Sequence, residues 1–238
     1  ADVGIYRVSV ALAMLGALPV MASTTMFGPV IAELVYTQQL EKLNALLKIV
    51  TRWLLVVAVP MYFVVLLLPD VVLTVFDPAY QRGAQALMIL MAGQAIYVAA
   101  APTGAILTNA GHSKLNLFNG LITVALNIGL NSWLIPDHGI QGAAVASASA
   151  LSMWSLLRVS QVWYLHRCSP VSLRSILFLG VSVVTGIATN ALLDGLPIWQ
   201  RIGWVGCTII IGLVVFWLFG RTDDDDAVIK GVKTRLKR

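Results

Sequence analysis

Charge is what this chain has least of. Asp, Glu, Lys and Arg together make up 11% of its 238 residues, where a soluble domain carries about 25%. With 58% apolar residues and a mean hydropathy of +0.85, a water-soluble fold of this length is excluded. Acids are the scarcer sign, 11 against 16 bases, and none lies deep inside an apolar stretch. That argues against a carboxylate proton relay within this segment. The three histidines, His112, His138 and His166, sit at the ends of apolar stretches with no carboxylate or cysteine at ligand spacing, so no metal site is expected. Two cysteines, Cys168 in a loop and Cys207 inside an apolar run, do not read as a pair, which excludes a disulfide scaffold. Serine elbows, phosphate-binding loops and paired intramembrane acids are missing as well. The expectation is a protein that is not an enzyme and that has no catalytic residue, metal or cofactor. No signal peptide is visible in the first 25 residues, which lack a basic leader and a cleavage site and run on into further apolar sequence.

What the chain does have is apolar length. Seven stretches, 5–27, 53–69, 84–110, 115–135, 140–165, 172–193 and 198–220, are each near the twenty residues needed to cross a hydrocarbon core of about 30 Å. The reading is an all-α polytopic membrane protein with about seven transmembrane helices. The first run begins almost at Ala1, and a preceding N-terminal part is expected.

Orientation follows from the bases. Lys42, Lys48, Arg52, Lys114, Arg158, Arg167, Arg174, Arg221, Lys230, Lys233, Arg235, Lys237 and Arg238 fall on one side, and only Arg7, Arg82 and Arg201 on the other. Thirteen against three in short loops makes the first side, and with it the C-terminus, cytoplasmic. The same scatter argues against nucleic acid as a partner, because positive charge bordering apolar spans serves orientation. Residues 37–52 place Leu40, Leu43, Leu47 and Val50 at helical spacing, an amphipathic cytoplasmic helix leading into the second span. Residues 221–238 run from acid to base, and read either as a basic cytoplasmic tail helix on the anionic leaflet or as a solvated tail. The stretch divides into 1–165, 166–220 with the last pair of spans, and that tail.

Polar residues inside the spans are neutral and fall in stripes. Gln94, Tyr97, Ala101, Gly104 and Thr108 share one face of the third span, and Asn116, Gly120, Thr123, Asn127 and Asn131 one face of the fourth. Ser155, Arg158 and Gln161 add polarity at the cytoplasmic end of the fifth. Unpaired amides and hydroxyls are costly in lipid, so these faces meet another helix or a hydrated cavity. Pro60 and Pro102 inside spans mark either static kinks or backbone freed toward such a cavity. Small residues from Gly142 to Ala150 suit close helix packing. Arg158 lies near enough to a span end to snorkel. Arg7, beside Tyr6 and isolated from other bases, is the better ligand candidate of the two.

Several motifs in this order are familiar. Gly4-Ile5-Tyr6-Arg7-Val8, Pro29 to Leu34, Thr51-Arg52-Trp53, Phe76 with Tyr80 and Gly83, Gly93-Gln94, Gly111-His112-Ser113-Lys114, Asn127 with Asn131, and Ile135-Pro136 followed by Gly139 to Ala144 are all present. Together they resemble the polysaccharide transporter branch of the multidrug/oligosaccharidyl-lipid/polysaccharide (MATE-like) exporter superfamily. The likeness covers residues 4–165, and the last two spans only in hydropathy. Asp77, where the family often has glycine, and His138, where an aromatic is common, depart from it. The resemblance implies the C-terminal lobe plus final helix pair of a two-lobed transporter in a bacterial cytoplasmic membrane. It implies flipping of polyprenyl-diphosphate-linked oligosaccharide between leaflets for surface polysaccharide, with membrane lipids and a missing N-terminal lobe as partners. The substrate-cavity candidates are Arg7, Gln94, Tyr97, Thr108, Thr123, Asn127, Asn131 and Arg158. A cation-coupled multidrug exporter of the same superfamily is the alternative, disfavoured by the lack of intramembrane acids. A seven-helix receptor lacks a lysine in its last span and paired loop cysteines. A membrane-embedded transferase would need an acidic or histidine site.

Overall fold

The computed structural model describes residues 2–170, 172, 185 and 197–215. Among them there is no strand, and four helical stretches are long and apolar enough to cross a membrane: Asp2–Tyr36, Leu40–Leu67, Pro78–Asn109 and Ser113–His166. The stretch expected at 172–193 and the tail 221–238 lie outside the described residues, apart from Ser172 and Thr185.

The first stretch is two helices, α1 (Asp2–Leu15) and α2 (Leu18–Tyr36). The sequence reading of one span over 5–27 is thereby split and lengthened. Gly16 and Ala17 bond back only to Ala13 and Met14, and Pro19 opens α2 where its missing N–H costs nothing. The ring of Tyr62 fills the break, since a Cβ on Gly16 would stand 2.9 Å from Tyr62 Cε1. Further on, α2 runs through Pro29 and ends with Gln38 in the left-handed region at φ 56°, its last carbonyls taken by the N–H groups of Gln38 and Gln39.

The amphipathic segment of 37–52 is not a separate surface helix. No glycine or proline interrupts residues 40–59, so it runs on as the first half of α3 (Leu40–Leu67). Its apolar stripe is where the spacing put it, but it faces the bundle: Leu43 and Leu47 are almost completely buried. After the short α4 (Pro69–Thr74) and a 3-10 turn (Pro78–Gly83), α5 (Ala84–Asn109) forms the centre of the bundle, packed against α1, α2, α3 and the next helix. A Schellman motif ends it: Gly111 takes φ 79°, and the N–H groups of Gly111 and His112 bond the carbonyls of Thr108 and Leu107.

The element that follows, α6 (Ser113–His166), is a hairpin of two helical limbs, 113–138 and 140–166. At the reversal Gly139 adopts φ 52°, ψ −128°, a conformation that side-chain-bearing residues rarely adopt. Asn119 and Gln161 meet across the limbs through two reciprocal amide hydrogen bonds of 2.8 Å. The fourth and fifth apolar stretches are therefore antiparallel neighbours, as the short Pro136–Gly139 turn requires. The last described helix, α7 (Ile198–Val215), packs Val205 on Val59, Phe63 and Leu67 of α3, and Arg201 donates to the Leu67 carbonyl at 3.3 Å.

One end of the bundle collects the start of α3, the α5–α6 turn and the end of α6. There the His112 and His166 rings lie 6.0 Å apart and Ser169 donates to the Asn44 side chain. Lys42, Lys48, Lys114 and Arg167 all belong to this end. At the opposite end Tyr6 bonds Ser147 and Gln141 bonds Gln85.

Candidate functional site

Hydroxyls in an apolar bundle must first be satisfied locally. Ser9, Thr24, Thr103, Thr108, Thr123, Ser152 and Ser155 each donate to a carbonyl three or four residues back on their own helix. Such back-bonding satisfies Thr108, Thr123 and Ser155 of the polar stripes without a partner helix. The residues that it does not close mark where chemistry can occur.

One of them, Arg158, lines a cavity of about 390 Å³ between α2, α5 and the second limb of α6, together with Val20, Thr24, Gly28, Tyr97, Ala101, Gly104, Ala105, Thr108 and Asn109. The lining holds one cation and no carboxylate. Arg158 comes from the second limb, eight residues before its end at His166, about 12 Å along the axis. Its guanidinium stacks on the Trp154 ring one turn earlier, 4.1 Å from the ring centroid. On its other side it lies against Gly104 of α5, where a Cβ would stand 2.8 Å from Nη1 and 3.0 Å from Cζ. A side chain at 104 would displace the guanidinium from this position. Arg158 Nε is buried with no hydrogen-bond partner. Thr108 is committed, donating to the Gly104 carbonyl at 3.0 Å and accepting from Asn116 at 2.9 Å.

Of the eight residues singled out in the sequence, the cavity gathers Tyr97, Thr108 and Arg158. Gln94 is one turn from Tyr97 on α5 but outside the lining, and its side-chain oxygen is buried without a partner. Thr123 bonds the Asn119 carbonyl, and Asn131 donates to Asn127 at 2.9 Å, so these three close on their own limb. Arg7 is exposed on α1. Its neighbour Tyr6 meets Ser147, which lies eleven residues from Arg158 along the limb, roughly 16 Å at 1.5 Å per residue. Arg7 and the cavity are thus at different levels of the bundle.

Three residues escaped the sequence reading. Thr24 and Asn109 sit on α2 and at the end of α5, where no stripe marks them. Trp154 was detectable, since an aromatic four residues before an arginine shares its helix face. No protein-family model matches this chain, and no curated protein matches it either.

Proposed function

We propose that this chain is part of a membrane transporter, a flippase that moves lipid-linked oligosaccharide from the inner to the outer leaflet of a bacterial cytoplasmic membrane for surface polysaccharide synthesis. The observation that carries this reading is the cavity: among the described residues an arginine, a tyrosine, threonines and an asparagine line a recess without a carboxylate. An amphipathic molecule with an anionic or sugar headgroup suits such a recess. A cationic drug does not, which sets the multidrug exporter second. Four described helical stretches are long and apolar enough to cross a membrane, and counting the two limbs of α6 separately this reading takes them as five crossings. The apolar runs read in the sequence at 172–193 and 198–220 would add two more, and the thirteen-to-three division of the bases puts the C-terminus on the cytoplasmic side.

Deleting the gene in its native cell is expected to remove surface polysaccharide while its lipid-linked precursor accumulates. Unchanged polysaccharide together with raised drug sensitivity would favour the exporter instead.

Topology is tested separately. In a Cys207→Ser background, Lys114→Cys is expected to be shielded from membrane-impermeant maleimide in intact cells, and Asp77→Cys and Asp137→Cys to react. Background from Cys168 is low, because it is almost fully buried and burial pushes its thiol up, with Lys48 pulling the other way. Labelling of Lys114→Cys from outside would invert the orientation.

A further inference from the structure

We propose that Arg158 is the phosphate anchor of this transporter: a preformed oxyanion subsite, completed by Tyr97 and Asn109, that holds the phosphate of a polyprenyl-phosphate-type headgroup. This rests on the flippase reading and adds the atoms that hold the substrate. Its chemistry is common to a lipid headgroup and to free inorganic phosphate, and the test separates the two.

The argument starts from cost. An arginine inside a helical bundle is expensive unless its charge is met. Among the described residues Lys42, Lys48, Lys114 and Arg167 avoid the expense by lying at an end of the bundle. Arg158 does not, since it lines the cavity and its Nε is out of contact with any acceptor. No ion pair or hydrogen bond engages its guanidinium among the described residues, and the cavity wall offers no acid.

The group is nevertheless held in place. Trp154 stacks on it, and the missing side chain at Gly104 makes a seat for Nη1 and Cζ. A planar fork fixed in orientation is what bidentate recognition of phosphate oxygens requires, and it stays charged at any working pH. Two neutral donors stand in the same lining without a hydrogen bond of their own, the Tyr97 hydroxyl and the Asn109 amide. An oxyanion there would meet one charged donor and two neutral ones.

Volume sets the class further. About 390 Å³ lies at the lower end of the 300–1,000 Å³ range of ligand pockets. It accommodates a phosphate or diphosphate rather than a whole oligosaccharide, so the saccharide must extend beyond the recess. The lining also reaches Asn109, the last residue of α5, toward the end of the bundle that carries Lys42, Lys48, Lys114 and Arg167. The cytoplasmic face that the flippase reading assigns to this end is the one at which lipid-linked precursor would be loaded.

The test is calorimetric binding to the purified chain in nanodiscs, with three probes: a short polyprenyl diphosphate, the corresponding neutral polyprenol, and inorganic pyrophosphate. The polyprenyl diphosphate is expected to bind, and the polyprenol at least tenfold more weakly. Arg158→Gln is expected to weaken polyprenyl diphosphate binding by about tenfold to a hundredfold, the loss of a charge-assisted hydrogen bond. Arg158→Lys should recover it only in part. Gly104→Ala leaves the arginine in the chain but takes its seat, and should weaken binding in the same direction. Pyrophosphate that binds as tightly as the lipid, and with the same dependence on Arg158, would support the oxyanion site and identify its source as free phosphate. Equal affinity of the wild-type chain and Arg158→Gln for the polyprenyl diphosphate would overturn the proposal, as would a polyprenol that binds as well as its diphosphate. Either result alongside precursor accumulation in the gene deletion would remove the anchor and leave the flippase standing. Arg158-dependent binding without that accumulation would do the reverse.

Discussion

Gly93→Leu is expected to remove most of the folded protein from the membrane. Gly93 lies where α5 crosses the second limb of α6, and a Cβ there would stand 2.8 Å from the Cα of Ala148 and 2.9 Å from its Cβ. The obstacle is backbone and a methyl group, not the movable end of a long side chain, so relief requires the helices to part. Overpacking a core typically costs about 1–3 kcal/mol, and a backbone obstacle puts this case at the upper end. Separation is not offset in lipid, because helix association there depends on close van der Waals contact rather than on a hydrophobic drive. The measurement is the melting temperature and monodisperse yield of the detergent-solubilised chain. Gly120→Leu serves as the comparison, since nothing lies within 4 Å of a Cβ at Gly120, and it should behave like the parent. Equal melting of Gly93→Leu and the parent would mean that α5 and α6 do not approach as closely as described.

That contact also shows what the sequence could and could not tell. The run of small residues from Gly142 to Ala150 pointed to close packing, and Ala144, Ala146 and Ala150 are buried with Ala148 against Gly93. Turns were legible for the same local reason: Gly111 and Gly139 take left-handed φ values that few other residues tolerate. Apolar length gave the helices, and charge gave the two ends. The break at Gly16 was not legible, because a glycine in an apolar run is ordinary and the feature that fixes it, the Tyr62 ring, comes from another helix. Neither was the cavity. A stripe on one helix says that it faces something polar, but the rotations of three helices decide what. Tyr97 and Thr108 turned toward Arg158, while Thr123, Asn127 and Asn131 closed on their own limb.

Asn119→Leu is the second large effect, and it is read best as one corner of a cycle. The Asn119 and Gln161 amides each donate to the other's oxygen at 2.8 Å, and Asn119 has no accessible surface. Replacing Asn119 alone leaves the Gln161 amide with a donor and an acceptor facing leucine. An unsatisfied buried polar group costs about 1–3 kcal/mol. Interhelical hydrogen bonds in membranes themselves average only about 0.6 kcal/mol, with a maximum near 1.7. Asn119→Leu and Gln161→Leu are therefore each expected to destabilise by more than the bond is worth. The double variant should be milder than the sum of the two, a coupling that a double-mutant cycle measures directly. On the flippase reading proposed above, the pair would also bear on function through register. Gln161 is one turn beyond Arg158 on the same limb, so the clasp holds that turn against the first limb and keeps the guanidinium over Gly104. Asn119→Leu should accordingly lower polysaccharide export even when protein abundance is restored. Additive single and double variants, with export following abundance alone, would reduce the clasp to two independent polar side chains.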